Sequence, residues 1–231
     1  MNIGTSEAEL FSEWSTKHPG FVADGVVDEN AYLQSSPKLL FVLKEVNDPD
    51  GGGWDLREFV RDGGRPQTWN NITRWVEGIR RLSDDVPWNE LSEVDEERRC
   101  KTLRSIAAVN LKKSPGGHTT DSAALVKIAE EDRVFLTKQF SLYDPDVIIC
   151  CGTSDPFHLL VQLCEQPQWR RTRRGVWFHE YKASKYVVAY SHPEARCASP
   201  LLYYGLVDAM REIFNTQPNT TLNSDVQQKA P

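Results

Sequence analysis

The stretch Leu39–Trp54, LLFVLKEVNDPDGGGW, decides the fold. Five apolar residues, Leu39 to Leu43, run straight into Lys44 and Glu45, then into a polar segment closed by three glycines. An uninterrupted apolar run of this length, bounded by Pro37 and a polar loop, reads as a strand buried on both faces. Its carboxyl end is either the start of an ordinary loop or a set of charges held over a ligand.

Further strands follow. SIAAVNL (Ser105–Leu111) and DPDVIICCG (Asp144–Gly152) read as the second and third, and GVWFHEY and KYVVAYS as one or two later ones. GFVADGVVD reads as a turn or short strand. Helices fall between them. Ser6 with Glu9 has the capping-box pattern and predicts a first helix starting there. Trp69, Ile72, Trp75, Val76 and Ile79 recur at helical spacing over 68–82. Residues 92–104 carry acids early and bases late, as the helix dipole favours. Residues 121–140 predict one long helix, Asp155-Pro156 the start of another bearing Phe157, Leu159, Leu160 and Leu163, and residues 200–214 a closing one. Residues 216–231, rich in Asn, Thr, Gln and Ser, are expected to be disordered, leaving one domain over 1–215.

Alternating strands and helices predict an α/β fold, a three-layer α/β/α sandwich around a mostly parallel sheet. Ligands of such sheets bind beyond the carboxyl ends of the strands. Three polar segments fall there: KEVNDPDGGGW, NLKKSPGGHTTD and SHPEAR.

Composition narrows the function. The 231 residues carry a formal net charge of −6, which argues against broad nonspecific nucleic-acid binding while leaving room for a local basic face. Base is concentrated in WRRTRRG (Trp169–Gly175) and NLKKSPGGH (Asn110–His118). The five cysteines are scattered, with no C-x-x-C pair, so reduced core thiols are expected in place of a disulfide frame, zinc site or iron–sulfur cluster. No apolar run approaches the ~20 residues that span a bilayer, and the first residues lack a signal-peptide pattern, so a cytoplasmic protein is expected. Walker, GxGxxG, HExxH and GxSxG motifs are absent from the sequence.

The strand-end segments resemble the uracil-DNA glycosylase superfamily. LLFVLKEVND is similar to its buried strand ending in a catalytic loop, AVNLKKSPGG to its base-reading segment, and VVAYSHPEAR to its His-Pro loop. DPDVIICCGTS looks like the superfamily's fourth-strand segment, and the order of all four is the superfamily's. The resemblance covers residues 38–211 and implies a uracil-DNA glycosylase-like fold and a monofunctional DNA glycosylase. Such an enzyme flips a base out of the stack and hydrolyses its N-glycosidic bond, leaving an abasic site without cofactor or metal. It also implies DNA as partner, no membrane, and a monomer.

Under this resemblance His192 is the partner of the leaving base and Asn110 the reader of its edge, because an amide both donates and accepts. Aligning the apolar strands places Glu45 at the family's catalytic Asp or Asn. Sliding the alignment puts Asn47 or Asp48 there instead, and the glycine that usually precedes the catalytic residue is absent. Trp54 and Phe59 are the stacking platforms, whereas Trp69 fits the helical core stripe. DNA contacts are expected from Lys44, Lys112, Lys113, Arg170, Arg171, Arg173, Arg174 and Arg196, with main-chain donors at Gly116 and Gly117. Lys44 alternatively neutralises the acids beside it. Arg57, Arg61 and Arg65 either reach phosphates or pair with Glu58 and Asp62.

Uracil-specific members place a bulky aromatic after the catalytic Asp-Pro. Here Asp50 and three glycines follow Pro49, which predicts a low or mobile wall. That implies a larger C5-substituted pyrimidine, such as the glucosylated hydroxymethylcytosine of phage DNA that an antiviral branch of the superfamily removes. Repair of uracil or another deaminated base, a nonenzymatic DNA-binding module and a small-molecule N-glycoside hydrolase are the alternatives.

Overall fold

The computed structural model describes residues 2–49, 51–117, 119–155, 157 and 167–215. The helix expected from Asp155-Pro156, with Leu159, Leu160 and Leu163, lies largely outside the described residues; Asp50, His118 and the tail 216–231 also lie outside them.

Seven strands form one sheet: β1 (Gly25–Val26), β2 (Leu39–Leu43), β3 (Ile106–Asn110), β4 (Val147–Cys151), β5 (Arg170–Arg171), β6 (Trp177–Lys182) and β7 (Lys185–Tyr190). Their order is β1-β3-β2-β4-β7-β6-β5. The four central strands are parallel, and antiparallel β1 and the β6–β5 pair close the two edges. All five residues of β2 are buried. Alternate side chains point to opposite faces, so Leu39, Phe41 and Leu43 join one apolar core and Leu40 and Val42 the other.

Helices cover both faces. The Leu40 face carries α1 (Ile3–Trp14) and α2 (Glu29–Gln34). On the Phe41 face lie α3 (Leu56–Arg61), α4 (Pro66–Arg80), α5 (Trp88–Leu91) and α6 (Glu96–Leu103). The Leu40 face is completed by α7 (Ser122–Glu131) and α8 (Arg133–Tyr143), and the Phe41 face by α9 (Ser199–Asn215). No helix among the described residues is long and apolar enough to cross a membrane.

Three boundaries differ from expectation, each for a local reason. Helix α1 starts at Ile3, because Asn2 is its N-cap and accepts the Thr5 N–H at 2.9 Å; Ser6 lies inside the helix. The long helix over 121–140 is two helices that meet at Asp132 (φ −91°, ψ 3°), whose buried carboxylate pairs with His18 at 2.7 Å. The span 92–104 begins later, at Glu96, where Asp95 caps the Arg98 N–H at 2.8 Å.

Chain order around the sheet reverses at β2: β3 lies on one side of it and β4 on the other. Crevices for ligands open at such a reversal, beyond the strands' carboxyl ends. Leu43 is level with Asn110, and Cys151 with Tyr190. The segments after β2, β3, β4 and β7 therefore leave the sheet along one edge.

Candidate functional site

A cleft of about 560 Å³ opens at that edge. Lys44, Glu45, Asn47, Asp48, Trp54, Phe59, Asn110, Gly117 and His192 line it, so residues far apart in sequence meet in one place. Arg65, Thr68, Trp69, Thr120 and Glu194 line it as well.

The first loop is zipped to the segment after β3. Leu111 and Lys112 donate to the carbonyls of Leu43 and Lys44, each at 3.0 Å, and Gly116 donates to Val46 at 2.8 Å. Asp48 donates back to Gly116 at 3.0 Å. Glu45 lies against Gly116, where a Cβ would stand 2.3 Å from its carboxyl carbon, so only glycine admits the carboxylate there. The Lys112 ammonium forms an ion pair with Glu45. Lys112 is thus committed to a carboxylate, and the Gly116 N–H to Val46; neither is the free phosphate donor expected from the sequence.

Asp48 serves its own loop. One carboxylate oxygen accepts the Gly52 N–H and the Trp54 indole N–H, each at 2.9 Å. Gly51 packs on this carboxylate, and Gly52 (φ +106°) sits against the Gly20 carbonyl, where a Cβ would lie 2.4 Å away. Gly53 donates to Gly20 and Ala23 to Trp54, each at 3.2 Å. The glycine run is therefore a tied, tight turn that carries Trp54 into the cleft, and not the low or mobile wall that its composition predicts. Trp54 meets Phe59 edge to face at 5.8 Å, and this pair is the aromatic wall. Asn47 is exposed and bridges to Gly116.

His192 follows β7 directly. Its Nδ1 accepts the Glu194 N–H at 3.1 Å, so the neutral ring carries its proton on Nε2. Burial holds its pKa below the ordinary value; Glu194 opposes this, and the Lys44 and Arg65 charges add to it. Asn71 donates to the Pro193 carbonyl at 2.8 Å, and Arg74 fixes Asn71 at 2.8 Å, so buried groups on α4 anchor the His-Pro loop. The Glu194 carboxylate accepts from Arg65 and from the Thr68 hydroxyl. Burial raises its pKa, but those two partners outweigh that and hold it below the ordinary value.

Asn110 is 3% exposed. Its backbone N–H donates to Asp24 at 2.7 Å, while its side-chain amide makes no hydrogen bond among the described residues. Lys44 is in the same position: its ammonium forms no ion pair among the described residues, and its charge acts on His192.

The other basic residues divide. Lys113 is buried, paired with Asp24 at 2.5 Å, and lies over the Trp14 ring at 4.7 Å. It cannot reach DNA; consecutive residues of an extended chain point opposite ways, so Lys112 faces the cleft and Lys113 the core. Arg170 stacks on Phe178 at 4.8 Å and Arg171 on Trp177 at 5.6 Å, while Arg174 pairs with Asp208 at 3.2 Å. The Arg173 N–H donates to Glu212. Because Trp177 is level with Ala189, this hairpin turns at the cleft's edge of the sheet, two strands beyond β7. It flanks the cleft without lining it. Arg196 is exposed on the His192 loop. Arg57 pairs with Glu7 and Asp55, and Arg61 donates to the Val27 carbonyl at 2.7 Å, so neither takes the Glu58 or Asp62 partner that the sequence suggests.

Sequence reasoning overlooks Glu194, Thr68 and Thr120. Glu194 had a signal, since it stands two residues from His192 in SHPEAR. No protein-family model matches this chain, and no curated protein matches it.

Proposed function

We propose that this protein is a monofunctional DNA glycosylase of the uracil-DNA glycosylase type, excising a modified base from DNA. The observation that supports it is the meeting, in one cleft, of the Glu45 carboxylate, the Nε2–H of His192 and the amide of the largely buried Asn110, which has no partner among the described residues. Cleavage of an N-glycosidic bond builds positive charge on the sugar and negative charge on the departing base. Glu45, oriented by Lys112, stabilises the sugar cation and accepts a proton from the attacking water. The bond's electron pair leaves with the base, and His192 donates a hydrogen bond to that anion. Asn110 reads the base edge, and Trp54 with Phe59 walls the ring.

A bulky base, such as glucosylated hydroxymethylcytosine in antiviral defence, is the version of this reading drawn from the resemblance and from the side-chain-free run Gly51–Gly53 after Pro49; the cleft, at about 560 Å³, is of ordinary ligand-site size. Strand breakage by heat or alkali after incubation tests the reading, on single- and double-stranded DNA bearing uracil, hypoxanthine or glucosylated hydroxymethylcytosine. Excision of one of these supports it, and intact strands throughout count against it. One observation favours a small-molecule N-glycosidase as second reading: Lys112 is paired with Glu45 and the 170–174 arginines do not line the cleft, leaving few cations there for a polyanion among the described residues. Release of a base from free nucleosides, with none from DNA, would select it.

A further inference from the structure

Arg65 and Thr68 stand at the start of α4, and their side chains converge on the same carboxylate oxygen of Glu194. Neither belongs to the machinery assigned above. All three line the cleft that also holds Asn110, a 3% exposed residue whose side-chain amide has no partner among the described residues and points independently to a ligand there. The pair is partly open to water, with the Arg65 side chain 48% and the Glu194 side chain 33% exposed. Exposed ion pairs of this kind are weak and exchange readily for a better anion. Arg65 uses a single nitrogen on Glu194, so most of its five donors stay available for the oxygens of a tetrahedral anion. The carboxylate thus sits where one oxygen of a phosphate would accept the same two donors.

We propose that Arg65 and Thr68 form a phosphate subsite for the substrate nucleotide, and that Glu194 occupies it in the free protein as an internal stand-in which the substrate displaces. Identifying the anion as a phosphodiester of DNA rests on the glycosylase reading; the subsite itself rests on the geometry. Displacement is felt at the chemistry, because the Glu194 N–H is the group that holds His192 Nδ1. A ligand without a phosphate leaves Glu194 in place, so the device favours phosphorylated substrates over free nucleosides.

The test is the affinity of the full-length chain for a labelled single-stranded oligodeoxynucleotide and, in competition, for inorganic phosphate. Glu194→Gln is expected to bind both about five-fold tighter, since it removes the competing charge. Arg65→Gln is expected to bind both about ten-fold weaker. Thr68→Val, which alters no charge, is expected to lose about three-fold. In the double variant Arg65→Gln/Glu194→Gln the gain from Glu194→Gln should vanish. The proposal is overturned if Glu194→Gln leaves affinity unchanged or weaker, if its gain survives the loss of Arg65, or if no variant binds either anion. Binding is read without turnover: a gain with no base excised sinks the glycosylase reading and keeps the subsite, and excision with no gain does the reverse.

Discussion

Two polar clusters meet at the end of β3, and they differ in how completely they are satisfied. On the Leu40 face, Asp24 accepts from Lys113 at 2.5 Å, from Gln139 at 2.9 Å and from the Asn110 N–H at 2.7 Å. Gln139 donates to Tyr143 at 2.9 Å, Tyr143 to Glu7 at 2.6 Å, and Arg57 completes Glu7 at 2.5 Å. This network is closed. In the cleft, Asn110 keeps an idle amide and Lys44 an unpaired ammonium among the described residues. A closed buried network specifies structure, whereas an amide that opens only to the cleft is available to a ligand. Asn110 belongs to both: its backbone is pinned by the closed cluster and its side chain is offered by the open one.

The largest expected effect breaks the closed cluster. Lys113→Met leaves Asp24 buried and uncompensated, and should lower the unfolding free energy by about 3–5 kcal/mol, read by urea denaturation. Among the cleft variants, His192→Asn should change stability by no more than about 0.5 kcal/mol, and Glu45→Gln, which leaves the partly open Lys112 ammonium without its carboxylate, should cost about 1–2 kcal/mol, less than Lys113→Met. They should instead slow single-turnover base excision by about 10²- to 10⁴-fold each. Equal stability losses in both sets would erase the distinction.

The smallest effect sharpens the comparison through pH. His192 has its pKa held below the ordinary value, so the Nδ1 lone pair that accepts the Glu194 N–H persists as pH falls through 6.5; protonation below that breaks this hold on the ring, while Nε2–H donates in both forms. The acid limb of the rate profile should therefore lie below pH 6.5. The Lys44 charge pushes the His192 pKa down and the Glu194 charge pushes it up. Lys44→Met should move the limb toward higher pH, and Glu194→Gln toward lower pH. The same sign holds for stability: the unfolded chain binds the proton more tightly, so this group costs stability as pH falls.

The central sheet was legible in the sequence because β2, β3 and β4 are short apolar runs, each bounded by polar or turn residues and too short for a helix buried on every side. The cleft was legible at Glu45, Asn110 and His192 because each stands at or just beyond the end of such a run. What was not legible depends on partners distant in the chain. The break at Asp132 comes with His18, the glycines are held by Gly20 and Asp48, and Lys113 is buried by Asp24. Adjacent lysines look alike in a sequence, and only the direction of the extended chain separates Lys112 from Lys113. Arg65 and Glu194 are far apart in sequence, and neither shows alone that it completes the other.

The most direct measurement is the intact mass of an oligodeoxynucleotide carrying one modified base, after incubation with the protein. The account predicts that the strand exchanges that base for a hydroxyl from water with the wild-type chain, and that the change disappears in Glu45→Gln and His192→Asn. Strands of unchanged mass across the whole base panel, or base loss that persists in both variants, would contradict it.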